Sequence, residues 1–175
     1  YNPGFPFLYV FESPNALKVT GHLAYLLGGG IMQVIDVSNP SLPVSVGTNF
    51  INGHAYGITV AGTRAYVTGS RSVGEDDDIG ILQIFSLSSP TNPVSLGITD
   101  IPSLGHGVAV DGDYAYVVGQ QTALTVVDVS SPADPHPVAK FQTHGWAQSV
   151  QVVQGRVFTA GEFSGLEAFN VDNPA

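Results

Sequence analysis

The sequence predicts an all-β protein built as a β-propeller, and three observations predict it. A nine-residue phrase recurs four times, as MQVIDVSNP from Met32 to Pro40, LQIFSLSSP from Leu82 to Pro90, LTVVDVSSP from Leu124 to Pro132 and LEAFNVDNP from Leu166 to Pro174. Each copy alternates apolar and polar side chains, is rich in β-branched residues and stops at a Ser/Asn-Pro pair, the pattern of a strand running into a turn. The prolines of the four copies are 50, 42 and 42 residues apart, and the aromatics Tyr25, Tyr66, Tyr116 and Phe158 are 41, 50 and 42 apart. A period of this size carrying four short strands is that of propeller blades, each too small a sheet to cover its own apolar faces. Composition agrees: 43% hydrophobic and 11% charged residues with 21 Gly and 12 Pro suit many short strands joined by tight turns. No window of about eleven residues carries the 3.6-residue apolar period of an amphipathic helix.

The elements follow in order. Residues 1–14 have no full-length repeat partner, but Phe7-Leu8-Tyr9-Val10-Phe11, bounded by Pro6 and Pro14, has the composition of one more strand. The first repeat, 16–55, places a strand at Leu17–Val19 closing on Gly21, a second at Ala24–Leu27 closing on Gly28, the signature strand third, and a fourth at Pro43–Gly47. The second, 56–105, repeats the order with Ile58–Val60, Ala65–Val67, its signature and Pro93–Gly97. The third, 106–147, has Val108–Val110, Ala115–Val117, its signature and Pro137–Phe141. The fourth, 148–175, has Val150–Val152, Val157–Thr159 and its signature, then ends without a fourth strand. The extra length of the second repeat falls in one loop, Gly69 to Gly80. One domain of 1–175 is expected, long enough to bury roughly 70% of its unfolded surface. Either the Phe7–Phe11 strand completes the last blade of a closed four-bladed ring, removing an exposed edge, or these four blades belong to a larger propeller.

Charge and composition exclude several function classes. A net charge of −9, with only two Lys and three Arg, offers a phosphate backbone repulsion and no basic stripe, so nucleic acid is not an expected partner. The absence of Cys rules out disulfides, thiolate metal sites and a Cys nucleophile. The longest apolar stretch, Leu23 to Val37, is broken by Gly28-Gly29-Gly30, Gln33 and Asp36 and is too short to span a bilayer. The chain starts at Tyr1 rather than Met, with neither a signal peptide nor an export motif, so either processing has removed the start or this is a piece of a longer chain. With no Asn-x-Ser/Thr acceptor, nothing argues for a glycosylated surface.

Ala-Tyr-Val-x-Gly at Ala65–Gly69 and Ala115–Gly119, Leu-x-Val-Val-Asp-Val-Ser-Ser-Pro at Leu124–Pro132 and Pro-x-x-Pro-Val at Pro40–Val44 resemble the LVIVD repeat. The resemblance covers about 160 of the 175 residues, with Ser86 and Asn170 in place of the signature Asp and Phe158 in place of the Tyr. It implies a β-propeller and a bacterial or archaeal exported protein: extracellular, at the cell surface or periplasmic. It carries no reaction or catalytic residues to transfer.

Three sets of residues are candidates for chemistry. Asp36 and Asp128 stand where the signature strand turns; an Asp there accepts hydrogen bonds from backbone N–H groups two residues on, and turn-building is favoured because a catalytic residue is needed once and a structural one in every blade. Glu75, Asp76 and Asp78, in the run Glu75–Asp78, are candidate oxygen ligands for Ca²⁺. Their spacing does not match an Asp-x-Asp-x-Asp-Gly loop, and a solvated acidic tip or docking surface is the competing reading. His54, His106 and His144 lie between the last strand of one repeat and the first of the next, beside Tyr56 and Trp146, on one face of a propeller where inner strands converge. Such a group suits a transition metal or, through Tyr56 and Trp146, a sugar or peptide. Against a shared site stand the unequal offsets of the three histidines from the next strand: four, two and six residues.

No Gly-x-Ser-x-Gly elbow or phosphate loop ahead of a helix is present, and no catalytic residue is assigned. The expected function is therefore a non-catalytic binding or scaffolding module recognising a protein or carbohydrate through loops on a propeller face. A metal-dependent or carboxylate enzyme at the channel mouth, and a structural subunit of a larger assembly, are the alternatives.

Overall fold

The computed structural model describes residues 14–74, 77–120, 123–163 and 165–171; the expected strand Phe7–Phe11 lies outside them. Among the described residues the protein is all β, arranged as four antiparallel sheets in chain order. The first sheet, or blade, is β1 (Pro14–Thr20), β2 (Leu23–Gly28), β3 (Ile31–Asp36) and β4 (Val44–Phe50). The second is β5 (His54–Ala61), β6 (Arg64–Ser72), β7 (Asp78–Ser86) and β8 (Val94–Ile101). The third is β9 (Gly105–Asp111), β10 (Tyr114–Gly119), β11 (Ala123–Asp128) and β12 (His136–Gln142). The fourth holds β13 (Ala147–Val153), β14 (Arg156–Gly161) and β15 (Gly165–Asn170).

The repeated phrases place repeated bonds. The first hairpin of each blade turns on Gly21, Gly62, Gly112 or Gly155, all at positive φ, which a residue without Cβ adopts at no steric cost. The strand after it exits through a fixed clasp: the N–H groups of Val37, Leu87, Val129 and Val171 donate to the carbonyls of His22, Thr63, Asp113 and Gly155 at 2.7–2.9 Å. Next comes the Ser/Asn-Pro turn, closed by Leu42 N–H on Asn39 O, Asn92 N–H on Ser89 O and Asp134 N–H on Ser131 O at 2.9–3.0 Å. Proline sits second in each of these turns, where its fixed φ is wanted.

Neighbouring blades face each other over apolar clusters. Tyr25, Leu27, Met32 and Val34 of the first blade pack on Ala65, Val67 and Phe85 of the second. Tyr66, Leu82 and Ile84 of the second pack on Ala115, Val117 and Val127 of the third. Tyr116, Val118, Leu124 and Val126 of the third pack on Val150, Val157 and Phe169 of the fourth. Each of the first three blades thus offers a bulky face with its tyrosine to the next blade, which answers with small, β-branched and, through Phe85 and Phe169, aromatic residues. The inner strands lie side by side, β1 on β5, β5 on β9 and β9 on β13. Their approach needs glycine: a Cβ on Gly57 would collide with the carbonyl of His106. Among the described residues the array stays open between its first and last sheets, where Leu17 and Leu166 are exposed.

Two details of the expected layout change. The loop anticipated over Gly69–Gly80 is mostly a hairpin, because β6 and β7 keep pairing through Ser70↔Gly80, Arg71↔Ile79 and Ser72↔Asp78. Polar residues there hide the strand pattern, and Arg71 makes its own support through a two-pronged 2.8 Å ion pair with Asp100 on β8. In the third blade the fourth strand starts at His136, opposite Asp128, as Val44 stands opposite Asp36 and Val94 opposite Ser86. Pro135, not Pro137, is therefore the counterpart of Pro43 and Pro93.

Candidate functional site at the inner-strand bulges

Each inner strand carries a β-bulge at its start, and the extra residue occupies one repeat-equivalent position. Pairing jumps from Pro14 to Ala16 in β1, from Ala55 to Gly57 in β5, from Gly105 to Gly107 in β9 and from Ala147 to Ser149 in β13. The residues left out of the ladder are Asn15, Tyr56, His106 and Gln148. A bulge re-aims its side chain and frees it from the alternation of the strand, so four different polar side chains are held by one backbone device. The inner strands of all four blades line a hollow of about 320 Å³ beside these bulges, with Tyr56, His106 and Gln148 on its wall.

Within the site Tyr56 and His106 stack, their ring centroids 5.3 Å apart and their planes at 29°. The Tyr56 hydroxyl lies 3.2 Å from Ser70 Oγ. Burial pushes the His106 imidazole below its ordinary pKa, and its Nε2 is buried with no hydrogen-bond partner among the described residues. An unpaired, neutral ring nitrogen beside an aromatic face is equipped to exchange a hydrogen bond with a ligand group. Asn15 Nδ2 instead donates to Ala55 O at 3.0 Å, tying the first blade to the second. Gln148 Nε2 donates to Glu162 Oε1 at 3.0 Å.

Of the residues singled out in the sequence, Tyr56 and His106 come together and the others stand apart from the hollow's wall. His54 is the exposed first residue of β5, and Trp146, 52% exposed, precedes β13. His144 is 88% exposed at its side chain, and Nδ1 lies 2.6 Å from Glu167 Oε1. Its backbone explains that pairing: His144 N–H donates to Glu167 Oε2 at 3.1 Å, as Asn52 N–H donates to Gln83 Oε1 at 3.0 Å in the second blade. Glu167 and Gln83 are the second residues of their signatures, so this bond fastens the incoming loop. Among the described residues no group of three or more His, Asp or Glu gathers with metal-binding geometry. Glu75 and Asp76 lie outside the described residues, while Asp78 accepts a 2.7 Å bond from Ser72 Oγ. Asp36 and Asp128 build turns: Asp36 Oδ1 accepts from Ser38 N–H at 2.8 Å and Asp128 Oδ1 from Ser130 N–H at 2.9 Å. Ser86 Oγ takes the same role toward Ser88 N–H at 3.2 Å.

Sequence reasoning missed Asn15 and Gln148. The signal was present: Asn15, Tyr56, His106 and Gln148 each stand two residues before Leu17, Ile58, Val108 and Val150, the first branched aliphatic residues of the inner strands. Aligning on the strands rather than on histidine puts all four in one column.

Stacked four-strand meanders, fixed turns and a variable bulge define a repeat module of propeller-like fold. Residues 15–49 and 105–143, the first and third blades, match the family model of the LVIVD repeat. Among solved structures it is similar to the crystal structure of the computationally designed Ika4 protein, with a TM-score of 0.72 and 8% identity over 95% of this chain and 96% of that one. At that identity the likeness concerns the fold alone. Comparison with the curated proteins gave no match. Among the described residues no helix is long and apolar enough to cross a membrane.

Proposed function

We propose that this chain is a non-catalytic recognition module of an exported or cell-surface protein, which binds a protein or carbohydrate segment at the bulges of its inner strands. One observation carries the reading: a single backbone device, repeated in four blades, presents Asn15, Tyr56, His106 and Gln148 at equivalent positions while the turns and cores around it stay alike. Such a division between constant frame and variable side chains suits recognition, because rigid elements supply the geometry and a few side chains choose the ligand. The Tyr56–His106 stack offers a flat face for a sugar ring or a peptide side chain, and His106 Nε2 offers a polar anchor. The exported location rests on the family resemblance.

The test is a screen of the purified chain on glycan and peptide arrays, followed by calorimetry on the strongest binder. Tyr56→Ala and His106→Ala should each weaken binding about tenfold or more, the loss expected for a buried anchor, with an unchanged melting temperature. Full affinity in both variants would overturn the reading.

A further inference from the structure

The two ends of the array are the separated halves of the interface that joins its interior blades. In the first three blades the bulky face is covered: Tyr25, Tyr66 and Tyr116 are buried, as are Met32, Leu82 and Leu124 at the first signature position and Val34, Ile84 and Val126 two residues on. The fourth blade keeps this face in Phe158, Leu166 and Ala168, paired across β14 and β15 in the same register. Here no described residue covers it: Leu166 is 74% exposed, Ala160 and Ala168 are exposed, and Phe158 is half-buried.

The answering half lies at the opposite end. In the interior interfaces the covering side includes Ile58 and Val60, Val108 and Val110, or Val150 and Val152, the alternate residues of the following inner strand. Their counterparts in the first blade are Leu17 and Val19, which are 58% and 51% exposed. One end of the molecule therefore shows an uncovered bulky face and the other an uncovered covering strand, each fitted to the other by a contact the chain makes three times within itself.

We infer that a second copy of this chain docks end to end, its first blade seated on the fourth blade of its neighbour. The occupant follows from continuity with the internal interfaces: the side that fits an LVIVD-type bulky face is the strand face of another such blade, and the first blade carries one with its inner strand still bare. The contact is head-to-tail, so each copy uses two different surfaces, and repetition closes a ring or extends a filament according to the rotation between copies. The inference is independent of what the hollow binds. Closure in this sense would set the inner strands of a second copy across the open side of that hollow.

The test compares solution masses of the wild-type chain, Leu17→Asp and Leu166→Asp by light scattering over 1–100 μM, with circular dichroism to check folding. Both substitutions are at exposed positions, so both variants should fold as the wild type does. Wild type should run at twice the 18.3 kDa chain mass or a higher multiple. Each variant should be monomeric, its self-association weakened about a hundredfold or more by a charge brought into an apolar contact. An equimolar mixture of the two variants should recover a two-chain species, because the intact fourth blade of Leu17→Asp meets the intact first blade of Leu166→Asp. A monomeric wild type overturns the inference. So does self-association surviving in either single variant, which would mean a symmetric contact through one end only, and so does a mixture that stays monomeric.

Discussion

At the scale of single residues, the turn carboxylates and the bulge histidine respond to acid in different windows. The backbone N–H and side chain of Ser38 hold Asp36 below its usual pKa, and the side chain and N–H of Ser130 do the same for Asp128. A carboxyl whose folded pKa is depressed contributes stability that is present above its unfolded pKa near 3.9 and is lost as pH falls through the folded value. Urea melts between pH 5 and pH 2.5 should show that loss, and Asp128→Asn should flatten it. His106 is depressed by burial, so the unfolded chain takes up its proton first, near pH 6.5, and the fold loses stability as pH falls below that point. In His106→Gln the difference in unfolding free energy between pH 7.5 and pH 5.5 should shrink. Glycine shows a steric counterpart: a Cβ on Gly119 would run into the carbonyl of Leu104, so Gly119→Ala should cost about 1–3 kcal/mol by denaturant unfolding. The turn role of Asp36 and Asp128 was legible in the sequence, because an Asp two residues ahead of its partner N–H needs only local chain geometry. The bulges were not, since an unpaired residue exists only relative to the strand beside it.

At the scale of strands and blades, position in the array decides what a repeated residue is worth. Leu124 and Leu166 open their signatures identically, yet Leu124 is buried against the fourth blade and Leu166 is bare. In a Leu17→Asp background, which keeps copies apart, Leu124→Ala should lose about 2–5 kcal/mol, whereas Leu166→Ala should stay within about 0.5 kcal/mol of its parent. A similar cost for both would mean that the fourth blade is covered within its own chain. Alternation of apolar residues made nearly every strand legible, from Leu23–Gly28 to Gly165–Asn170. It failed where backbone pairing outruns the apolar pattern, at Ser70–Ser72 in β6. It also failed where two prolines competed, at Pro135 and Pro137, because spacing alone does not tell which one precedes the strand.

For the molecule as a whole, each blade depends on its neighbours, so the interior blades are held from two sides and the terminal ones from one. Hydrogen exchange on the dispersed chain should find amides of β15 opening before those of β7 and β11. Uniform protection would contradict an array open at its ends. The stacking order was legible from the period, since small amphipathic sheets must bury both faces. Whether the ends meet was not, because closure depends on the angle accumulated from blade to blade, and the repeated phrases leave that angle unspecified.

The bulges have a consequence for how such a molecule changes over time. Asn15, Tyr56, His106 and Gln148 lie outside the ladder, so exchanging one side chain for another disturbs no cross-strand pair and shifts no register. New binding preferences can be tried there one letter at a time while the scaffold keeps its shape, much as movable type is reset within a fixed frame.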